Sequence, residues 1–285
     1  MSLPRILNIE KDIKRAIKRE KSMELSTLIG LLLGFIAVGV GMILKGASLT
    51  ALINPAAILI IIVGTIATIF IGFPMEDLKR VPKLFKILFT KQQLISKKEL
   101  VKQFAEWTTV SRREGILSLE NRLEEINDDF LKKGMGMAID GNDAEFIRDV
   151  LFEDISAMEE RHRDGALVFT QMGTYAPTLG VLGAVVGLIS ALSNLNEVEA
   201  LGHLISAAFV ATLLGIFTGY VLWHPMANKL KLFSRREAEI KRMMLEGILS
   251  IQAGDNVNAI HNKLFAYLSA AERRELTEEM GNEKA

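Results

Sequence analysis

Four long stretches without a single charge decide what this chain can become. Leu25 to Leu44 reads LSTLIGLLLGFIAVGVGMIL, and residues 53–73 read INPAAILIIIVGTIATIFIGF. Residues 165–196 and 200–228 also contain no Asp, Glu, Lys or Arg. A helix crossing the bilayer core needs about 20 apolar residues. All four stretches meet that length, and buried helices of soluble proteins rarely run so far without a charge. Charged residues still make up 24% of the chain, so they are gathered between and beyond these blocks. The first block is too long for the apolar region of a signal peptide, and no small-residue cleavage site follows it.

The loops give the orientation. Basic residues crowd the segment before the first block and the segments after the second and fourth. The short connection 45–52 carries only Lys45, and 193–202 carries no Lys or Arg. By the positive-inside rule, both termini and the central segment face the cytoplasm. The expected protein is an all-α integral membrane protein with four transmembrane helices in a two-plus-two layout. Residues 1–22 are a basic cytoplasmic lead-in, unless translation starts at Met23. Residues 23–73 hold spans one and two, 74–164 a helical cytoplasmic insertion, 165–228 spans three and four, and 229–285 a cytoplasmic tail. Apolar periodicity predicts helices over 94–112, 116–132 and 143–163, punctuated by Gly115 and the Gly134/Gly136 pair. Asn142-Asp-Ala-Glu145 resembles a capping box that starts the third of these. The end of the chain after Ala270 reads as a solvated, partly disordered tail.

Several function classes drop out. Lys+Arg and Asp+Glu both number 34, which excludes a basic nucleic-acid binder. There is no cysteine, so no thiolate metal site and no Cys nucleophile. His162, His203, His224 and His261 show no ligand spacing. No phosphate-binding loop and no nucleophile elbow is present. The expectation is a protein that is not an enzyme and has no cofactor or metal. The spans also lack the ionisable group that an ion carrier needs at mid-depth. If this chain conducts ions, another subunit brings the carboxylate.

The spans offer small residues instead. Gly173, Ala176, Gly180, Gly183, Gly187 and Ala191 recur every three or four positions in the third. Gly215 and Gly219 repeat the pattern in the fourth, near Ala207, Ala208 and Ala211. Such stripes let helix backbones approach closely in lipid. They either pack within one chain or form a smooth wall around a partner helix. Thr212 is polar in mid-span and either bonds back to its own helix or faces a wet path. Pro177 and Pro225 each remove a helix hydrogen bond and mark a flexing point or a fixed bend.

The segments TYAPTLGVLGAVVGLISAL, AAFVATLLGIFTGYVLWHPMANKL, NPAAILIIIVGT and SRREGILSLE together resemble the flagellar motor stator MotA family. The resemblance spans about residues 23–267, with four motifs in order, and is closest to the family's Gram-positive type. It implies five copies around two copies of a MotB-type subunit that carries the ion-binding aspartate. It implies residence in the bacterial cytoplasmic membrane, in contact with lipid, and torque exerted on the rotor protein FliG through charged contacts. The matching charges are Arg112, with Arg113 beside it, and Glu120. The family's two functional prolines match Pro177 and Pro225, and its membrane threonine matches Thr212. The implied ion path runs along Gly180, Gly183, Ala184, Gly187 and Thr212. Sodium-driven relatives such as PomA have a threonine where this chain has Ala184. Its absence removes an oxygen ligand for sodium, so the implied ion is the proton. The alternative is an energy-transducing channel of the TolQ or ExbB type, which has three spans.

Overall fold

The computed structural model describes residues 24–124, 126–193 and 198–282, so the lead-in through Met23 lies outside it. The described chain forms two compact units. One comprises residues up to Gln92 together with His162–Leu232, and the other comprises Gln93–Arg161 with the segment from Phe233 onward. Among the described residues, four helices are long and apolar enough to cross a membrane. The protein is all-α and a multi-pass membrane protein.

In the membrane unit, α1 (Leu25–Leu44) is the first span and buries none of its own residues. The second, α2 (Leu49–Gly72), begins as a short 3-10 turn. It then restarts at Asn54, whose side chain accepts a hydrogen bond from the Ala57 N–H while Pro55 takes the first helical position. Proline fits there because that N–H has no partner inside the helix. Ala57, Ile61, Thr65 and Ile69, four residues apart, make the buried stripe of α2. A short helix, α3 (Val81–Phe89), turns Leu84, Phe85 and Leu88 inward and leaves Lys83 and Lys86 exposed. Phe85 and Phe169 meet edge to face at 5.0 Å, with Trp223 6.2 Å from the Phe85 ring.

The second unit is built on large side chains. It contains α4 (Lys97–Glu114), α5 (Asp129–Ile139), the first part of α6 (Ala144–Ser193), the later part of α8 (His224–Gln252), α9 (Val257–Phe265) and α10 (Ala270–Asn282). Phe104, Leu131, Ile147, Leu151, Met243, Ile248 and Leu276 are fully buried in one core. Each such apolar side chain contributes about 1.5–3 kcal/mol of burial. The third membrane span is the later part of α6, a continuous 50-residue helix that carries Pro177 within it. The fourth is α7 (Val198–Phe217), continued through a π-helical turn, Thr218–Trp223, into α8.

Four expectations need correction. Residues 116–132 are not one helix. A 3-10 turn and one helical turn end at Leu123, and α5 starts afresh because Asp128 accepts a hydrogen bond from the Leu131 N–H. Gly134 and Gly136 sit inside α5 rather than ending a helix, since a side chain at 134 would strike Ile248 and Leu151. The cap of α6 is Asp143, which accepts from the Phe146 N–H at 2.8 Å, while Asn142 donates back to the Met137 carbonyl. The segment from Ala270 to Asn282 is helical and docked. Ser269 and Glu272 cap it reciprocally, and Leu276 enters the core. Lys98 and Lys102 of α4 pair with Glu275 and Glu279 at 2.7 Å each.

Candidate functional site

The third and fourth spans meet backbone to backbone. A side chain at Gly180 would lie 2.9 Å from the Ala211 carbonyl oxygen and from the Gly215 Cα. One at Gly215 would lie 2.7 Å from the Gly180 Cα and 2.8 Å from the Ala176 carbonyl oxygen. Above this contact Gly183 faces Ala211, and Gly187 faces Ala208. The stripe is therefore filled, along Gly180, Gly183 and Gly187, by the fourth span of the same chain. Sequence spacing alone left packing within the chain and a wall for a partner equally open, because a pattern of small residues does not name its neighbour.

Ala184 and Thr212 are half-buried beside this seam. The Thr212 hydroxyl donates to the Ala208 carbonyl of its own helix at 3.4 Å, a long back-bond. Pro177 sits against Gly219, where a Cβ would lie 2.6 Å from the proline ring. Glycine at 219 is what admits the ring. Pro225 is exposed, and helps line a cavity of about 410 Å³ with Gly30, Leu31, Tyr220 and Val221. At one end of that cavity Lys229 donates to Glu24, Ser26 and Thr27 at 3.1, 2.8 and 2.6 Å. The Ser26 hydroxyl also donates to Glu24 at 2.7 Å, and this bond with that from Lys229 holds the Glu24 carboxyl below its ordinary range.

The charged candidates lie in the other unit. Arg112 and Arg113 occupy the last turn of α4, which ends at Gly115 with φ +85. Glu120 opens the next helical turn. All three side chains are exposed and make no ion pair among the described residues, whereas nearby Arg122 is paired with Glu106. Glycine's access to positive φ lets the chain reverse here and present both charge signs around one turn.

Some site features gave no sequence signal that was used. The π turn at Thr218–Trp223 has no residue signature. Asn54 reaches the Ala207 carbonyl of the fourth span at 3.4 Å, a bond that the NP pair at 54–55 could have suggested. The Thr65 hydroxyl and the Trp223 indole N–H are buried without a hydrogen-bond partner among the described residues.

Known proteins match this arrangement throughout. Residues 122–243 match the MotA/TolQ/ExbB proton channel family, and residues 28–115 match the motility protein A N-terminal family. Motility protein A of Bacillus subtilis is 55% identical over 257 residues, covering 90% of this chain and 95% of that protein. The chain belongs to the MotA/TolQ/ExbB proton channel family. Solved relatives share the fold. The flagellar MotAB stator complex from Bacillus subtilis has a matching chain with a TM-score of 0.84 and 56% identity, over 88% of this chain and 98% of that one. A Campylobacter jejuni MotAB chain matches with a TM-score of 0.82 and 33% identity, over 87% of this chain and 97% of its own. Within the family, the matched region spans both membrane pairs and the inserted helices.

Proposed function

We propose that the chain is the MotA-type subunit of a flagellar stator, a proton channel whose ion flow drives torque. The observation that carries this reading is its 55% identity, over nearly full length, to a motility protein A. Four spans without Asp, Glu, Lys or Arg fit it, because a channel subunit of that composition requires its titrating carboxylate from a partner. The partner is a MotB-type subunit, two copies within a ring of five copies of this chain, set in the bacterial cytoplasmic membrane with both termini inside.

The mechanism has three steps. The partner's aspartate takes a proton from the outer side. Neutralised, it costs less to hold in apolar surroundings. It then moves past Ala184 and Thr212, the two candidates beside the glycine seam, and the ring advances. Pro177 and Pro225 are where α6 and α8 flex, so that movement reaches the cytoplasmic helices. Arg112, Arg113 and Glu120 push on the rotor protein FliG. Alanine at 184 lacks the hydroxyl that a dehydrated sodium ion would need, which makes the proton the coupling ion.

Deleting the gene tests the reading. Normal filaments on paralysed cells are expected, and cells that swim normally would refute it unless a second stator set is found. Arg112→Glu and Glu120→Lys should each lower torque while leaving membrane assembly intact. Assembly lost in both would make these charges structural. Rotation that needs sodium would overturn the proton assignment.

A further inference from the structure

The partner's carboxylate explains how a proton enters the apolar interior, but not how it leaves. Among the ionisable side chains near the inner ends of the spans, Lys229 already spends three donors on Glu24, Ser26 and Thr27. His224 is different. It follows the π turn of the fourth span and lies against the third, where a Cβ on Gly173 would be 2.8 to 2.9 Å from its ring atoms. Its ring nitrogens make no hydrogen bond among the described residues, and its one ring neighbour is Tyr220, at 5.2 Å. A histidine kept for structure alone normally has a nitrogen bonded to a carbonyl or carboxylate.

The backbone around it is also opened. Pro177 has no N–H, so the carbonyl of Gly173, the residue against which the imidazole lies, loses its regular helical donor. Pro225 likewise brings no N–H to the turn that precedes it. Between them the ladder is shifted through Thr218–Trp223. Backbone of this kind is tolerated at membrane depth where it is enclosed by protein or lines water. An imidazole with free nitrogens thus stands where three interruptions of two helices coincide. No fixed charge opposes it from the helices. The spans contribute no Asp, Glu, Lys or Arg, and the nearest ionisable groups on its own helix are Tyr220 and the engaged Lys229.

We propose that His224 is the group that takes up the proton at the inner mouth of the channel and hands it to cytoplasmic water. This rests on the channel and orientation readings above. The neutral imidazole accepts a proton at one nitrogen. The imidazolium releases one from the other nitrogen to water, and the ring returns to its first tautomer through water. One proton moves and no other bond changes.

The test is proton flux into proteoliposomes holding the complete complex with its MotB-type partner. His224→Ala and His224→Phe should each lower flux several-fold against wild type, with the complex still assembled. Added imidazole should restore flux in His224→Ala, where the ring leaves a space, and not in His224→Phe, where that space is filled. Flux at the wild-type level in either variant would overturn the proposal. So would a loss in His224→Ala that imidazole does not repair, since that marks a packing role. A wild-type complex that passes no protons would instead refute the channel reading.

Discussion

At Gly215, in the membrane unit, the atoms crowding the side-chain position belong to backbone, the Gly180 Cα and the Ala176 carbonyl. At Gly247, in the other unit, they belong to the ring of Phe104, 2.6 to 2.7 Å away. Both glycines make room, but for different things. In lipid there is no hydrophobic gain from joining two helices, so association depends on closeness and on van der Waals contact between main chains. In water, burying a large side chain is itself the driving force, and glycine serves as the floor on which Phe104 lies. Where its third and fourth spans meet, the membrane unit has a small buried cluster of Ala57, Ile61, Ala176 and Ala211, and its large side chains gather in separate small clusters such as that of Leu88, Phe169 and Met226, whereas the other unit has one core of Phe, Trp, Leu, Ile and Met.

Substitutions can break this comparison. The largest effect is expected from Gly215→Val. Neither main chain can retreat, so the third and fourth spans should fail to close, and monodisperse protein should not be recovered from membranes. Normal recovery would mean that the backbone contact is dispensable. Next is Phe104→Ala, which should cost about 3–5 kcal/mol in denaturant unfolding of the solubilised protein. Proteolysis should then attack residues 93–161 and leave the spans intact. Gly247→Ala should be milder, about 1–3 kcal/mol, because a ring can shift where a backbone cannot. A Gly247→Ala penalty as large as that of Gly215→Val would erase the distinction.

Acid probes the edge of the second unit. Hydrogen bonds from Ser269 hold the Glu272 carboxyl below its ordinary range, and Lys102 does the same to Glu279. A lowered carboxyl contributes stability above its unfolded pKa and loses it as pH falls through the folded value. Below about pH 4, amide exchange over 270–282 should therefore speed up before that of α4, and Glu272→Gln should flatten the dependence. The smallest effect is expected from Thr212→Val. Its hydroxyl makes only a long back-bond, so stability should change by no more than about 0.5 kcal/mol. Thermal unfolding checks this, and a larger loss would give the hydroxyl a structural partner.

How far the sequence could be read follows from the same contrast. The spans were visible because twenty uncharged residues have few other meanings. The docked tail was not, because among its described residues AERRELTEEMGNEKA shows one buried apolar side chain, Leu276, and its lysine partners lie about 177 positions earlier. The break before α5 was hidden because Asp128 reads equally as a helix surface residue or as a cap. Gly180, Gly183 and Gly187 were recognised as a packing surface, but their neighbour could come only from three dimensions. His224 drew no notice in a list of scattered histidines, since its significance depends on Pro177 and the π turn around it.

The bonds of Lys229 have one more consequence. A lysine near the end of a span usually stretches toward lipid head groups, and so lets the helix slide or tilt as bilayer thickness varies. Here the ammonium is fastened to Glu24, Ser26 and Thr27 at the start of the first span. The first and fourth spans therefore share a common zero level. A thicker or thinner bilayer must deform around that pair, because neither helix can adjust its depth without the other.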